Sequence, residues 1–281
     1  MAKFVKKMLL FPNCKINLGL NIVKKLSNGY HLIETVFYPI NWCDILEVNE
    51  TTNQNKPFNL KQTGLNINGK LEDNILYKSF KLINEIKKLP NLNIHLHKQI
   101  PMGAGLGGGS SNAAFFINHL NTTFQLNLTD IELNTIVSKL GADCAFFLNN
   151  KPAFAKGIGN EFEPIKLNLK HFYIVLIYPN IHSDTKLAYS KVIPSLPLND
   201  LKNSIETLAI NEWKNVISNS FEESIFDHYP KIKEVKDYLY QKNAIYASMS
   251  GSGSSVFGIF DYLPDLTFPT NYLTHIQLPN G

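Results

Sequence analysis

The sequence predicts an α+β protein with two lobes. Strand-like alternation fills the first third of the chain, and the middle has a strand that leads into a glycine-rich segment and two helical segments. A further strand, several helical segments and a second small-residue turn follow. Because strands and helices do not alternate regularly, a doubly wound parallel sheet is not expected. We expect the lobes to comprise residues 1–160 and 161–281.

The first predicted lobe begins with three strand patterns, KINLGLNIV, HLIETVFYPI and DILEVNE, which we interpret as parts of one sheet. The Asn28-Gly29 pair between the first two predicts a hairpin turn. Asn74 occupies the N-cap position of an apolar-periodic helix that Pro90 ends, and NLNIHLHKQI follows as a strand. Helices are predicted at residues 110–125 and 129–140.

The second predicted lobe begins with the apolar strand FYIVLIYP. A helix is expected from about Thr185, and further helical segments at residues 198–219 and 230–241. The run SGSGSSVFGIF predicts a Gly/Ser loop, residues 250–255, followed by a strand. We expect this Gly/Ser loop to pack against the substrate or phosphate loop.

Composition excludes several classes of protein. The chain has 281 residues, is 44% hydrophobic and has a formal charge of +4, with its 27 Lys and Arg residues dispersed rather than in a basic block, so nucleic-acid binding is not indicated. No apolar run approaches the ~20 residues that span a bilayer, and the N-terminal apolar run is too short for a signal peptide, so we expect a cytoplasmic protein with no membrane partner. Three widely spaced cysteines predict neither disulfides nor a CxxC metal site.

The most informative segment is PMGAGLGGGSSNAA, residues 101–114. Glycines let the backbone approach a ligand closely, and the first turn of the following helix offers free N–H groups and the positive end of a dipole. This glycine loop, residues 101–109, therefore predicts a phosphate site, with ATP as the expected ligand. The ATP-binding residues predicted in this segment are Pro101, Gly103, Gly105, Leu106, Gly107, Gly108, Gly109, Ser110 and Ser111.

Two other nucleotide motifs fit the glycine loop less well. The spacing of Gly103, Gly105 and Gly108 satisfies the dinucleotide pattern GxGxxG, but two helices follow where a Rossmann unit needs a second strand. The ATPase P-loop needs a Lys after its last glycine, and here Ser110 follows Gly109. A cationic partner for the phosphates must therefore come from elsewhere in the chain.

Three motifs in order resemble those of the GHMP kinase superfamily, whose members phosphorylate small-molecule alcohols with ATP. They are Lys15-Ile16-Asn17-Leu18, PMGAGLGGGSSNAA and SGSGSSVFGIF, and together they span most of the chain. The resemblance implies a two-lobed kinase with the active site between the lobes. Four further segments of this chain, CKINLGL, NGYHLIETVF, LGAD and AFAKGIG, resemble those of family members whose substrate carries a cytidine diphosphate group. The resemblance therefore implies a substrate of that kind.

The resemblance also implies roles for single residues. Lys15 and Asp143 would flank the acceptor hydroxyl, Lys15 to offset charge on the transferred phosphoryl group and Asp143 to orient the hydroxyl or accept its proton late in the reaction. Tyr30, His31 and Tyr189 would hold the cytosine by stacking and hydrogen bonding. Asn17 would hold the substrate near Lys15, and Asn74 would bind ATP as part of the nucleotide pocket. Mg²⁺ is expected with ATP, but no metal-binding residue is predicted.

Other interpretations stay open at this stage. Without the resemblance, Asp143 is interpretable as a helix cap, Lys15 as a surface residue and Asn74 as an ordinary N-cap. His95 and His97 lie two apart on a predicted strand, which we interpret as a polar strand face rather than a metal site. The alternative functions are another GHMP kinase, acting on mevalonate or homoserine, and a non-catalytic nucleotide-binding protein.

Overall fold

The computed structural model describes residues 8–51 and 56–280. Its strands are β1 Met8–Leu10, β2 Asn13–Lys25, β3 His31–Cys43, β4 Ile45–Glu50, β5 Phe58–Gly64, β6 Leu92–Lys98, β7 Ala153–Lys156, β8 Glu161–Pro164, β9 Tyr173–Tyr178, β10 Tyr246–Met249, β11 Val256–Phe260 and β12 Leu273–Gln277. Its α-helices are α1 Ile75–Ile86, α2 Gly108–Thr123, α3 Asp130–Ser138, α4 Cys144–Asn149, α5 Thr185–Lys191, α6 Leu201–Thr207, α7 Trp213–Val216, α8 Glu222–His228 and α9 Pro230–Gln241. The predicted α+β class is confirmed.

The chain divides into two compact units, each built from separate stretches of sequence. The first comprises residues up to 14, 41–102 and 107–150, and the second comprises residues 15–40, 103–106 and those from 151 onward. These units do not coincide with the predicted lobes, because the chain passes from one unit to the other several times. The lobe boundary after residue 160 stays a prediction.

The first unit contains a four-stranded sheet in the order β1-β4-β6-β5. The strand β6 pairs antiparallel with β4 and parallel with β5, and its alternate residues Leu92, Ile94 and Leu96 are buried. Helix α1 begins as predicted, since the Asn74 side chain accepts a hydrogen bond of 2.9 Å from the N–H of Leu76. Thr129 and Glu132 form a capping box at the start of α3.

The second unit contains two sheets, in the orders β2-β3-β7-β8 and β10-β11-β9-β12. The expectation that the first three strand patterns share one sheet is wrong, because β4 belongs to the sheet of the first unit. The turn between β2 and β3 forms as predicted, with Gly29 at φ +86°. A core of apolar side chains joins β2 and β9 to α8 and α9, including Ile22, Ile177, Ile225 and Leu239.

Candidate active site

Helix α2 begins inside the glycine loop, in the first unit. Its N-cap is Gly107, in a left-handed conformation with φ +68°, which glycine adopts without strain. The first turn follows as Gly108, Gly109, Ser110 and Ser111. The hydroxyl of Ser111 is buried and has no hydrogen-bond partner among the described residues. A helix N-terminus with a buried, unpartnered hydroxyl has the chemistry to bind an anion, which is the ligand predicted for this turn.

A cavity of about 370 Å³ adjoins this helical turn in the first unit. Leu60, Ile67 and Leu96 supply apolar walls, while Asn74 and Asn112 supply amides. Gly109 also lines the cavity, so the predicted phosphate site opens directly into it. Apolar walls with a few polar groups are typical of a site for a flat heterocycle, and Asn74 lines this cavity as well as capping α1.

In the second unit, Lys15 is almost fully buried on β2. Its ammonium donates to Asn17 Oδ1 at 2.6 Å and to the carbonyl of Gly105 at 2.9 Å, and it lies 4.9 Å from the ring centroid of Phe37. The carbonyl of Leu106 also accepts from the Lys15 N–H at 3.0 Å. The structure therefore brings Lys15 and Asn17 to the central residues of the glycine loop, and Lys15 is not an ordinary surface lysine.

The Gly/Ser loop packs against this cluster, as predicted. Ser250 Oγ donates to the Gly105 carbonyl at 2.9 Å and accepts from the N–H of Asn17 at 3.2 Å. A Cβ at Gly105 would lie only 1.9 Å from the Ser250 carbonyl oxygen. Only glycine fits at position 105, which also has φ +76°.

Asp143 lies in the first unit at the N-cap position of α4. Its side chain makes no capping hydrogen bond, so a helix cap does not account for the carboxylate. The next residue, Cys144, is a buried free thiol whose pKa is raised by burial to about 11. That thiol stays protonated and uncharged beside Asp143 at neutral pH.

An aromatic pair forms in the second unit at the start of β3. The rings of His31 and Tyr189 stack with centroids 4.7 Å apart and planes 25° apart, and Phe221 meets Tyr189 edge-on at 4.8 Å. Tyr30 is exposed. Burial and the nearby Lys25 lower the pKa of His31, so its ring is neutral at pH 7. Neutral imidazole both donates and accepts hydrogen bonds, as recognition of a base edge requires.

Comparisons with known proteins decide the family. The model of the GHMP kinases N terminal domain matches residues 74–151, and that of the GHMP kinases C terminal domain matches residues 193–266. The chain belongs to the GHMP kinase family. A 4-diphosphocytidyl-2-C-methyl-D-erythritol kinase from Bacteroides fragilis is 50% identical to it over 253 residues, 90% of this chain and 92% of the relative.

Solved structures agree on the fold of this GHMP kinase. A crystal structure of a 4-(cytidine 5'-diphospho)-2C-methyl-D-erythritol kinase matches with a TM-score of 0.75 and 29% identity, covering 90% of each chain. Methanococcus jannaschii mevalonate kinase matches with a TM-score of 0.67 and 15% identity, covering 91% of each chain, which shows the fold alone.

The kinase has no group of three or more metal-binding side chains among its described residues. His95 Nε2 and His97 Nδ1 lie 2.8 and 2.9 Å from the hydroxyl of Thr63, so these histidines share a polar neighbour on the sheet. No helix in the described part of the chain is long and apolar enough to cross a membrane.

Sequence reasoning missed three residues that support the site of the kinase. Asp44 is fully buried at the connection between β3 and β4 and contacts both segments that flank the glycine loop. Asn219 donates to the carbonyls of Met249 and Gly251, both at 2.8 Å, and so holds the Gly/Ser loop. Thr35 accepts from Asn17 Nδ2 at 2.9 Å. None has a sequence signal, because each acts through a partner distant in the chain.

Proposed function

We propose that this GHMP kinase transfers the γ-phosphoryl group of ATP to a hydroxyl of 4-diphosphocytidyl-2-C-methyl-D-erythritol. The observation that carries the proposal is the 50% identity, over 90% of the chain, to the Bacteroides fragilis kinase of that name. The stacked His31 and Tyr189 rings support it, because aromatic rings stack on a cytosine. An aliphatic alcohol such as mevalonate has no base for them to stack on.

ATP would bind with its phosphates on the glycine loop and its adenine in the adjoining cavity of about 370 Å³. The N–H groups at the start of α2 would donate to phosphate oxygens, and the unpartnered Ser111 hydroxyl has the chemistry to join them or to reach a phosphate-bound cation. Mg²⁺ bound to the phosphates would neutralise part of their charge. Ser110 and Ser111 fit such a cation, since magnesium on a nucleotide takes few protein ligands.

Lys15 would stabilise the negative charge that spreads over the transferred phosphoryl group. Its ammonium is fixed by Asn17 and by the Gly105 carbonyl, so it needs little reorganisation during the reaction. Asp143 would orient the acceptor hydroxyl and take its proton late, because a loose transition state does not require early deprotonation.

The cytosine would bind at Tyr30, His31 and Tyr189. In the structure His31 covers one face of Tyr189 and Phe221 meets that ring edge-on, so stacking of a base on the covered face requires the His31 side chain to move aside. The displaced imidazole would then reach the edge of the base. Exposed Tyr30 is available to cover the other face of the cytosine.

Turnover with a panel of acceptors tests the proposal. The purified protein is incubated with ATP and Mg²⁺ plus the cytidylyl methylerythritol, mevalonate, homoserine or no acceptor, and ADP release is followed. Release that depends on the cytidylyl substrate, and that cytidine inhibits, is the expected result. Release with mevalonate or homoserine would keep the kinase class and overturn the substrate. No release with any acceptor would favour a nucleotide-binding protein without catalysis.

A further inference from the structure

A buried carboxylate accepts hydrogen bonds from both segments that flank the glycine loop. Asp44 is completely buried between β3 and β4. Its Oδ1 accepts from the N–H groups of Gln99 at 2.7 Å and Ile100 at 2.9 Å, where β6 leads into the glycine loop. Its Oδ2 accepts from Asn112 Nδ2 at 2.9 Å, on α2 just after the glycine loop, and from the ammonium of Lys98. One side chain thus fixes where the chain enters the glycine loop and where it leaves it.

Lys98 also constrains the first turn of α2. The residue is 1% exposed, and its ammonium is paired with Asp44. A Cβ at Gly108 would lie 2.9 Å from Lys98 Nζ and 2.8 Å from Ile100 Cγ2, so the first turn of α2 rests directly on this ion pair. The pKa of Lys98 is lowered, chiefly by burial, and the Asp44 carboxylate opposes that lowering.

The position of α2 decides where its N–H groups point. A phosphate is bound by several N–H groups at once, and a shift of about 1 Å is enough to weaken a preorganised site strongly. We propose that Asp44, together with Lys98, is a positioning residue for ATP: it holds the first turn of α2 in the geometry that binds the phosphates, without touching the nucleotide. This inference rests on the proposed use of the glycine loop for ATP phosphates and adds the residues that hold that loop.

Asp44→Asn is the direct test. The amide keeps the size of the side chain and one acceptor oxygen for Gln99 and Ile100, but turns an N–H₂ group towards Lys98 and Asn112, which are both donors. We expect the affinity for AMP-PNP, measured by calorimetry, to fall at least tenfold. The KM for ATP should rise similarly, while the KM for the acceptor alcohol changes less than threefold. An unchanged AMP-PNP affinity would overturn the inference.

A second variant separates positioning from stability. Asp44→Asn with Lys98→Met removes the ion pair and leaves no unpaired charge, so its melting temperature should recover relative to Asp44→Asn alone. If Asp44 positions the loop, the AMP-PNP affinity of this double variant stays low. If the ion pair matters only for stability, affinity and melting temperature recover together, and the inference fails.

Val235→Ala is the matched control for destabilisation. Val235 is buried in the core of the second unit on α9 and belongs to neither site described above. We expect a lower melting temperature with AMP-PNP affinity within twofold of the unmodified chain. Loss of affinity in this control would mean that AMP-PNP binding follows stability, against the inference. Because AMP-PNP binding is measured without turnover, failure of the inference is distinguishable from failure of the proposed reaction.

Discussion

At the scale of single residues, the burial of a charged side chain helps to distinguish a catalytic role from a role in folding. Burying a charged ammonium is costly unless it is paired or well hydrogen-bonded. Lys15 is 3% exposed and donates to Asn17 and to the Gly105 carbonyl, at the centre of the glycine loop. A buried cation beside the proposed phosphate loop supports the catalytic role proposed for Lys15.

Lys15→Met and Asp143→Asn test the assigned catalytic roles. Both changes are nearly isosteric, and neither residue belongs to the turn of α2 that would hold the phosphates. We expect kcat to fall by about 10²–10⁴-fold in each variant, because each removes an interaction with the transferring group or the proton. Steady-state kinetics and AMP-PNP binding measure the two effects separately. Equal losses in kcat and in AMP-PNP affinity would contradict the roles.

The pH dependence tests His31. Its pKa is lowered from the ordinary value of 6.5 by burial and by Lys25, so the ring is neutral at pH 7 and is protonated at a more acidic pH than an ordinary histidine. Protonation removes the acceptor nitrogen, so kcat/KM for the cytidylyl substrate should fall as the pH drops below 6.5, while ATP affinity does not follow. His31→Gln, which lacks the titration, should lose this acidic limb. If the fall in kcat/KM at acidic pH persists in His31→Gln, it arises from the titration of another group.

At the scale of elements, glycines of the glycine loop divide into two kinds. Gly105 is required by the protein itself, since a Cβ would meet the Ser250 carbonyl at 1.9 Å and φ is +76°. Gly109 has an ordinary helical backbone and nothing within 4 Å of an added Cβ. Glycine in a helix costs about 0.5–1 kcal/mol relative to alanine. A glycine that no described neighbour requires, lining the cavity, indicates space kept for a ligand.

Alanine at each of these positions tests that division. Gly105→Ala should destabilise the protein by at least about 2 kcal/mol, because the backbone must shift or adopt strain. Gly109→Ala should leave the free energy of unfolding unchanged or raise it by up to about 1 kcal/mol, yet raise the KM for ATP about tenfold as its methyl enters the phosphate space. Thermal unfolding and ATP kinetics check both. Unchanged ATP kinetics in Gly109→Ala would place the phosphates elsewhere.

Elements with strong local signals are predictable from sequence, and their partners are not. Asn74 predicts the start of α1 because its cap is local, and the apolar alternation of β6 predicts a half-buried strand. Strand patterns do not say which sheet they join, so β4 was assigned to the wrong one. Short elements such as the six-residue α4 have too little pattern to recognise.

Residues of the candidate site, too, are predictable only where their signal is local in the sequence. Glycine spacing and the motif around Lys15 are visible because they are contiguous, and they predict a phosphate loop with a lysine. Asp44 was missed because its partners Gln99, Ile100 and Asn112 lie more than fifty residues away in sequence. The physical reason for a lone buried aspartate appears only when these donors converge on it.

At the scale of the whole molecule, folding depends on segments that are far apart in sequence. The core of the second unit joins Leu20, Ile22 and Ile33 to Ile177 and Phe221. Each of these side chains is at most 8% exposed, and full burial of one such side chain contributes roughly 1.5–3 kcal/mol. A cut at the predicted lobe boundary, after residue 160, would divide this core between two fragments.

Expression of residues 1–160 and 161–281 as separate chains tests whether that boundary separates independent folding units. We expect fragment 161–281 not to unfold cooperatively, because it lacks the Leu20, Ile22 and Ile33 side of its core, whereas fragment 1–160 contains every segment of the first unit. Mixing the two fragments should restore a cooperative thermal transition, since the missing contacts are then supplied from the partner. Circular dichroism and hydrogen exchange measure both states. If fragment 161–281 alone instead shows a sharp transition with protected strands, the contiguous lobes predicted from the sequence are folding units and the core across residues 20–33 and 177–221 adds little.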